Sequence, residues 1–336
     1  MTLAELRAMV MRLRFSPWIL AVVAVLAWPA EDTMAARRTQ ARPTAAPPEI
    51  SRDTRLLVIA PHPDDEVLAA GGLMQQVHDA GGAVRVVYLT DGDGFPEGVR
   101  LEERDRTLTS GDFRDYGRRR QREARGALAA LGLDPSDAKF LSFPDTGLCK
   151  LIRVYWSERR TAYRSPYTRL TRPPAAERLD PDTKFRGEDL TQELAAIVGQ
   201  FRPTLVLVPR KEDQHPDHRA AWYFLVDALG DVRRVHSDFT TDVLTYIVHD
   251  NGWPFSDDGP ALPPPPGVGS GVSGWIRVPL TPAEVRAKRS ALQKYRTQVH
   301  AMAWFLDGFV RSNEIFSRPT PASTNVVLPL KHSACW

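Results

Sequence analysis

The chain has 336 residues, of which 43% are hydrophobic and 25% are charged, and its formal net charge is only +3. This length and composition allow one large hydrophobic core and favour a single large domain over two small ones. The near balance of basic and acidic residues argues against a dedicated nucleic-acid binder, which needs a concentrated basic face. No nucleic-acid partner is therefore expected.

The N-terminal segment has the pattern of an export signal. Arg7, Arg12 and Arg14 precede an apolar run over residues 18–30, which is too short for a comfortable membrane span. We therefore predict a signal peptide over residues 1–35 and an exported protein, periplasmic or extracellular. The alternative is an uncleaved segment that anchors the protein to the membrane.

The rest of the chain is predicted to form one domain after a linker. Residues 36–52 are rich in Ala, Pro, Arg and Thr without apolar periodicity, which is typical of a disordered linker. The domain then spans residues 53–336. An Arg/Tyr-rich stretch near 149–181 and a Pro/Gly-rich stretch near 252–274 interrupt its pattern, and we interpret both as insertions or lids.

Short apolar strands alternate with amphipathic helices along this domain. The predicted strands cover residues 56–60, 84–90, 140–143, 204–208 and 243–248. The predicted helices cover residues 67–80, 118–131, 190–201, 220–229 and 282–305. This alternation predicts βαβ units and an α/β fold, with a mostly parallel sheet and helices on both faces.

Cys149 and Cys335 are the two cysteines, and the sequence contains no CxxC motif. Any metal site must therefore use histidine and carboxylate ligands. An oxidising compartment would permit a disulfide between the two, but their wide separation in sequence leaves open whether they pair.

The first chemically informative motif is PHPDDE at residues 61–66, directly after the first predicted strand. Loops at the carboxyl ends of parallel strands are where α/β sheets bind ligands. His62, Asp64 and Asp65 are thus candidate ligands or titrating groups. The structural alternative is a polar turn with an aspartate that caps the following helix.

The second motif is DQHPDHRA at residues 213–220, which also follows a predicted strand and opens a helix. Taken alone, His215 and His218 are better explained as a surface pair, with Asp217 as the helix cap. Two His-Pro-Asp motifs at one sheet edge instead indicate a shared ligand.

These motifs together supply a catalytic zinc site, which needs three nitrogen or oxygen ligands and an open position for water. The predicted ligands are His62, Asp65 and His218, and we expect one zinc ion per chain, although other divalent metals fit. Asp64 would accept a proton from water, and His215 would stabilise an oxyanion or protonate a leaving amine. Such a set of groups hydrolyses an amide or a related acyl bond.

At these motifs the sequence resembles the LmbE-like/PIG-L family of zinc-dependent N-acetylglucosaminyl deacetylases. The resemblance implies a Rossmann-like, three-layer fold and removal of an acetyl group from an N-acetylated amino sugar, glycan or glycoconjugate. It implies the same three ligands, the same roles for Asp64 and His215, and an Asp217 that orients His215.

Further segments resemble this family over about residues 55–316. RQRE at residues 120–123 resembles a helix whose Arg120 contacts substrate, and FPDTG at 143–147 resembles a loop whose Asp145 contacts sugar hydroxyls. Asp91 is a candidate substrate or supporting residue. The C-terminal signature residues are Lys288, Tyr295 and Gln298. One position departs from the pattern, because Asp213 replaces a tyrosine of some members.

The sequence also admits other interpretations. A carbohydrate-binding protein that keeps the metal site but little catalysis is the main alternative, although Asp64 and His215 favour an enzyme. A nucleotide-binding Rossmann domain is disfavoured, because PHPDDE stands where a glycine-rich phosphate loop belongs. The Arg/Tyr-rich insertion could bind an anionic or sugar ligand or be a solvated loop, and His249 is more readily explained as structural.

Overall fold

In a computed structural model, seven strands form one sheet. They are β1 (Arg55–Ala60), β2 (Ala83–Thr90), β3 (Ala138–Phe143), β4 (Leu205–Pro209), β5 (Asp242–Tyr246), β6 (Trp275–Pro279) and β7 (Asn313–Ser317). Their order across the sheet is β3-β2-β1-β4-β5-β7-β6. The first five are parallel, whereas β7 pairs antiparallel with both β5 and β6. The predicted mostly parallel α/β sheet is confirmed.

Eight α-helices accompany the sheet in the part of the chain that the structure describes. They are α1 (Asp65–Asp79), α2 (Pro96–Glu103), α3 (Ser110–Ala130), α4 (Leu148–Arg153), α5 (Gly187–Phe201), α6 (Pro216–Val235), α7 (Pro282–Leu292) and α8 (Arg296–Asp307). The structure describes residues 46–104, 107–159, 161–255, 259–266, 274–319 and 335. All of these lie in one compact unit, Gln40–Trp336.

The predicted signal peptide lies outside the described residues, as do residues 36–45 of the predicted linker. Residues 46–52 form neither helix nor strand. Among the described helices, none has both the length and the apolar character required to cross a membrane.

Two apolar cores sandwich the sheet, because successive strand residues point to opposite faces. In β1, Leu56 and Val58 join one core, whereas Leu57 and Ile59 join the other. Helices α1, α3, α7 and α8 contribute to the first core, and α4, α5 and α6 to the second. The result is the expected three-layer arrangement.

The strand order reverses between β1 and β4. From β1 the chain adds β2 and β3 on one side and then returns to add β4 and β5 on the other. Ligands in open α/β sheets bind at such a switch point, outside the carboxyl ends of the strands. PHPDDE follows β1 and DQHPDHRA follows β4, so both motifs lie at this position.

The C-terminal region differs from the prediction in two ways. The single helix predicted over residues 282–305 is divided into α7 and α8, because Tyr295 leaves helical geometry with a ψ of 63°. Strands β6 and β7 were not predicted. Each has five residues, and their pairing joins segments about 40 residues apart, which local periodicity does not reveal.

Both predicted insertions bury part of their apolar surface. Tyr163 in the first packs into the second core, and Trp253 and Leu262 in the second pack into the first core. The structure also joins Cys149 and Cys335 in a disulfide with a Cα–Cα distance of 5.7 Å. The pairing that the sequence left open is therefore present.

Candidate metal centre

Three side-chain atoms converge where the ends of β1 and β4 meet. His62 Nδ1 lies 3.2 Å from Asp65 Oδ2, and His218 Nε2 lies 3.1 Å from the same oxygen. The two ring nitrogens lie 3.4 Å apart. All three side chains are buried, and the predicted ligand set is thus brought together.

This triangle has the dimensions of one face of a zinc tetrahedron. Zinc bonds of about 2.0–2.2 Å at tetrahedral angles separate ligand atoms by about 3.3–3.5 Å. In addition, His62 Nδ1 and His218 Nε2 face each other, so both cannot carry a hydrogen favourably, whereas both can direct lone pairs to one cation. The geometry and the donor types therefore fit a metal ion.

Neighbouring carboxylates favour positive charge at the same point. Burial opposes protonation of His62, but Asp145 and other nearby carboxylates outweigh it and raise its pKa. Burial likewise opposes protonation of His218, yet Asp213 and Asp65 raise its pKa to about 9. Burial would raise the pKa of Asp65, and the two histidines instead hold it well below its ordinary value. A divalent cation suits this environment.

Several overlapping groups of three side chains at this edge could hold a metal ion, each with ligand atoms within 4.8 Å of one another. They are His62 with His215 and His218, Asp65 with His218 and His249, and His62 with Asp145 and Asp217. Each includes at least one member of the tighter triangle. The metal-binding capacity of this edge therefore centres on His62, Asp65 and His218.

Asp213 supports His218 from behind. Its Oδ2 lies 3.2 Å from His218 Nδ1 and accepts hydrogen bonds from the backbone N–H groups of Val248 and His249. Such a carboxylate fixes the ring and leaves its other nitrogen free for a metal. From the sequence, Asp213 was noted only because some family members have a tyrosine at this position. Its place five residues before His218 could have indicated that it supports this ligand.

Asp64 lies beside the triangle in a strained conformation. Its φ of 126° is in the left-handed region that residues other than glycine rarely adopt. Arg120 Nη2 contacts Asp64 Oδ2 at 3.2 Å and donates to the Pro63 carbonyl at 2.5 Å. Burial raises the pKa of Asp64 to about 7, although Arg120 opposes the rise. Arg120, predicted to contact substrate, thus also holds the predicted base.

His215 is held by the start of α6. Its Nδ1 accepts the backbone N–H of Asp217 at 3.2 Å, so a neutral His215 carries its hydrogen on Nε2. Burial and the adjacent His62 and His218 keep its pKa well below the ordinary value. The neutral ring is therefore a hydrogen-bond donor through Nε2.

The Asp217 carboxylate faces a different group from the one expected. It accepts the backbone N–H groups of Thr146 and Leu148 at 2.6 and 3.1 Å, and its Oδ2 lies 3.6 Å from His62 Nε2. Its contact with His215 runs through the backbone. Asp217 thus ties the loop after β3 to the start of α6.

Asp145 approaches the ring nitrogen of His62 that does not face the triangle. Its Oδ1 lies 3.2 Å from His62 Nε2, without a hydrogen bond of good geometry, and its Oδ2 accepts the Gly94 N–H at 2.6 Å. Burial would raise the pKa of Asp145, but His62 and His215 hold it below the ordinary value. The position after β3 that was predicted to contact sugar therefore lies beside a candidate ligand.

A cavity of about 450 Å³ opens over these groups, a size suited to a small ligand. Its wall combines polar groups with aromatic and apolar side chains. The lining residues include His62, Asp64, Asp65, Arg120, Asp145, His215 and His249, together with Phe95, Tyr167, Met302 and Phe305. The cavity can therefore hold a substrate with both polar and apolar faces.

The cavity wall bears on three further expectations from the sequence. Among the described residues, its wall does not include Asp91, whose carboxylate instead accepts hydrogen bonds from Gln121 and Ser142. Burial raises the pKa of Asp91 to about 6. His249 was favoured as structural, but it lines the cavity. Tyr167 brings the Arg/Tyr-rich insertion to the cavity wall.

Comparison with known proteins identifies the family and supports the fold. The family model described as "PIG-L: GlcNAc-PI de-N-acetylase" matches residues 57–229, just over half of the chain, and this range contains both metal-site motifs. The solved structure of the zinc-inhibited form of teicoplanin deacetylase is 20% identical. It covers 80% of this chain and 100% of that chain with a TM-score of 0.50, which supports a shared fold.

Curated relatives share a part of their length with this chain. The 1D-myo-inositol 2-acetamido-2-deoxy-alpha-D-glucopyranoside deacetylase of Mycobacterium sp. (strain KMS) is 29% identical over 229 residues, which cover 61% of this chain and 66% of that protein. The diacetylchitobiose deacetylase of Thermococcus kodakarensis is 27% identical over 180 residues, covering 52% and 49%. The chain thus spans slightly less than two thirds of one relative and about half of the other. On the family match, the chain belongs to the PIG-L family.

Proposed function

We propose that the protein is a metal-dependent N-deacetylase that removes the acetyl group from an N-acetylglucosamine-type amino sugar or glycoconjugate. One observation carries this proposal: His62, Asp65 and His218 converge at separations of 3.1 to 3.4 Å beside a cavity. Asp64 and His215 line the same cavity. Ligands, a base and a hydrogen-bond donor are thus within reach of one bound molecule.

The metal in this proposal is zinc, one ion per chain, held by His62, Asp65 and His218. Two imidazole nitrogens and one carboxylate oxygen match the preferences of catalytic zinc. When bound, such an ion lowers the pKa of water and polarises an acyl oxygen.

In this mechanism Asp64 accepts the proton of the attacking water. Its carboxylate is held by Arg120 at the cavity wall, where it can first accept and then return a proton. The proton on Asp64 then passes to the departing nitrogen, so that acetate and a free amine leave. Both proton transfers use one side chain.

His215 stabilises the acyl oxygen as negative charge develops on it. Because Nδ1 accepts the Asp217 N–H, the hydrogen on Nε2 is available for donation. Arg120 and Asp145 line the cavity and remain the proposed substrate contacts, whereas the buried Asp91 is better placed to support the loop after β2.

An N-acetylated amino sugar is the substrate class that we favour. Its hydroxyl groups match the polar part of the wall, and its apolar ring face matches Phe95, Tyr167 and Phe305. Two partial-length relatives are named as deacetylases of N-acetylglucosamine-containing compounds, which supports the same class.

We also propose that the protein is exported. The basic and apolar pattern of residues 1–35 supports this, as does the disulfide between Cys149 and Cys335, because disulfides persist in oxidising compartments. N-terminal sequencing of the protein from the periplasm or medium would detect cleavage. Recovery of the intact chain in the membrane fraction would instead favour an anchor.

The decisive experiment is acetate release by the purified, zinc-loaded chain. Suitable substrates are N,N′-diacetylchitobiose, longer chitooligosaccharides and N-acetylglucosaminyl inositol. We expect turnover that a chelator abolishes and that added zinc restores, with about one zinc ion per chain. Sugar binding without acetate release from any of these compounds would contradict the enzyme proposal and favour a carbohydrate-binding protein.

A further inference from the structure

Glu66 and Tyr295 form a fully buried pair next to the Asp64 backbone. The Glu66 carboxylate accepts the backbone N–H of Asp64 at 3.1 Å through Oε2, and it accepts the Tyr295 hydroxyl through Oε1. Neither Glu66 nor Tyr295 has any solvent exposure. Glu66 is the second residue of α1, whereas Tyr295 lies between α7 and α8, 229 residues later.

The backbone that Glu66 holds is the strained one. Asp64 has a φ of 126°, so its local preference is to relax to another conformation. Its carbonyl accepts the N–H groups of Val67 and Leu68 at 3.0 and 2.9 Å, which closes the first turn of α1. Its N–H points the other way, and the bond to Glu66 satisfies it. The conformation therefore depends on contacts at both ends of the residue.

The position of the Asp64 carboxylate depends on the same conformation. Arg120 contacts Asp64 Oδ2 at 3.2 Å from the cavity side, whereas Glu66 holds the Asp64 backbone from the core side. Among the described residues, the cavity wall includes Asp64 and Arg120 but neither Glu66 nor Tyr295. Glu66 and Tyr295 thus do not line the cavity themselves, and their hydrogen bonds lead to it through the Asp64 backbone.

We infer that Glu66 and Tyr295 are positioning residues, which hold Asp64 in its left-handed conformation and so aim its carboxylate into the cavity. This inference rests on the proposed function, in which Asp64 is the base. It also explains the break between α7 and α8, because the non-helical Tyr295 places its hydroxyl on Glu66. The C-terminal helices thereby contribute to the catalytic geometry from the core.

The test compares Glu66→Met, which removes both acceptors, with Glu66→Gln, which keeps a carbonyl oxygen for Asp64 and an amide for Tyr295. Tyr295→Phe removes only the hydrogen bond from the Tyr295 hydroxyl to Glu66. The matched control is Tyr246→Phe, because Tyr246 is also buried in the first core but donates to the Ile59 carbonyl at 2.7 Å. Each variant is measured for kcat, KM, zinc content and thermal midpoint.

We expect Glu66→Met to lower kcat roughly 10- to 100-fold with KM and zinc content unchanged, since misplacement of a catalytic group by about 1 Å can cost that much. Tyr295→Phe should lower kcat about tenfold or less, and Glu66→Gln should recover most of the activity. Tyr246→Phe should retain the kcat of the unmodified protein. A Glu66→Met protein with unchanged kcat would overturn the inference.

A structural readout separates this inference from the proposed function. Crystal structures of Glu66→Met and Tyr295→Phe should show Asp64 moved from its φ of 126° or its carboxylate withdrawn from Arg120. If both contacts persist, the positioning role is wrong even where activity falls. If the unmodified protein releases no acetate, the proposed function fails, and the crystal structures still decide whether Glu66 holds Asp64.

Discussion

Lys288 Nζ lies 2.7 Å from Glu314 Oε1, and neither side chain is exposed to solvent. The pair occupies a break in α1, where Ala70 has a φ of −141°. Lys288 donates to the Leu68 carbonyl, and Glu314 accepts the N–H groups of residues 72 and 73. Side chains inserted into a helical ladder are a known cause of kinks. The pair thus replaces hydrogen bonds within the helix that begins with Asp65.

Breaking this pair should destabilise the protein strongly. We expect Lys288→Met or Glu314→Gln to lower the free energy of unfolding by about 3–5 kcal/mol, because the remaining charge or polar groups lose their partners while buried. Urea denaturation of the purified variants measures the loss. The exposed pair of Arg202 and Asp238 is the control, and Arg202→Ala should have little effect. Equal losses for the two pairs would contradict this account.

Replacing Asp213 should weaken metal binding without removing a ligand. Asp213→Asn leaves the triangle in place but reduces the support of His218 Nδ1, and such changes typically cost 10- to 100-fold in metal affinity. Competition with a zinc-binding dye measures the change. His218→Ala should lose the metal altogether, whereas Asp238→Asn at the surface should bind it normally. Unchanged affinity in Asp213→Asn would show that His218 is oriented by other contacts.

Asp64→Asn should separate catalysis from metal binding. The amide keeps the shape of the side chain but cannot accept the proton of water, so kcat should fall about 10²- to 10⁴-fold. Zinc content by mass spectrometry should stay at the level of the unmodified protein, because the three converging ligand atoms belong to His62, Asp65 and His218 and not to Asp64. A variant that keeps its rate would eliminate Asp64 as the base.

Phe305→Ala should mainly affect substrate binding. Phe305 lines the cavity and stacks on His249 with ring centroids 5.6 Å apart. Loss of this apolar face should raise KM about tenfold, equivalent to about 1.4 kcal/mol, with a smaller change in kcat. Steady-state kinetics on the best substrate of the panel checks this, with the exposed Val235→Ala as control. A fall in kcat at constant KM would place Phe305 in the chemical step instead.

The sequence predicted the five parallel strands and the convergence of His62, Asp65 and His218 for a local reason. Each motif follows a short apolar strand directly, and parallel strands bring their carboxyl ends to one edge of the sheet. The fold class and the meeting of the two motifs therefore follow from patterns within about ten residues. The bounds of the elements shifted by a few residues, and α3 begins eight residues before the predicted helix.

The supporting contacts could not be predicted in the same way, because they join distant segments. Tyr295 meets Glu66 across 229 residues, and Lys288 meets the Leu68 carbonyl across 220 residues. The residues around Tyr295 contain neither glycine nor proline, so nothing local marked the end of α7. Burial of the tyrosine against a carboxylate, which is a tertiary contact, outweighs the helical preference of that segment.

The place of β7 in the sheet has a consequence for the order of assembly. This strand lies between β5 and β6 and carries Glu314. Until residues 313–317 have left the ribosome, the edge of β5 therefore lacks its antiparallel neighbour. Until β7 docks, the helix that follows PHPDDE likewise lacks the carboxylate that accepts the N–H groups of residues 72 and 73 at its break. The complete hydrogen bonding of this helix, which begins with the candidate ligand Asp65, thus depends on a side chain 242 residues further along the sequence.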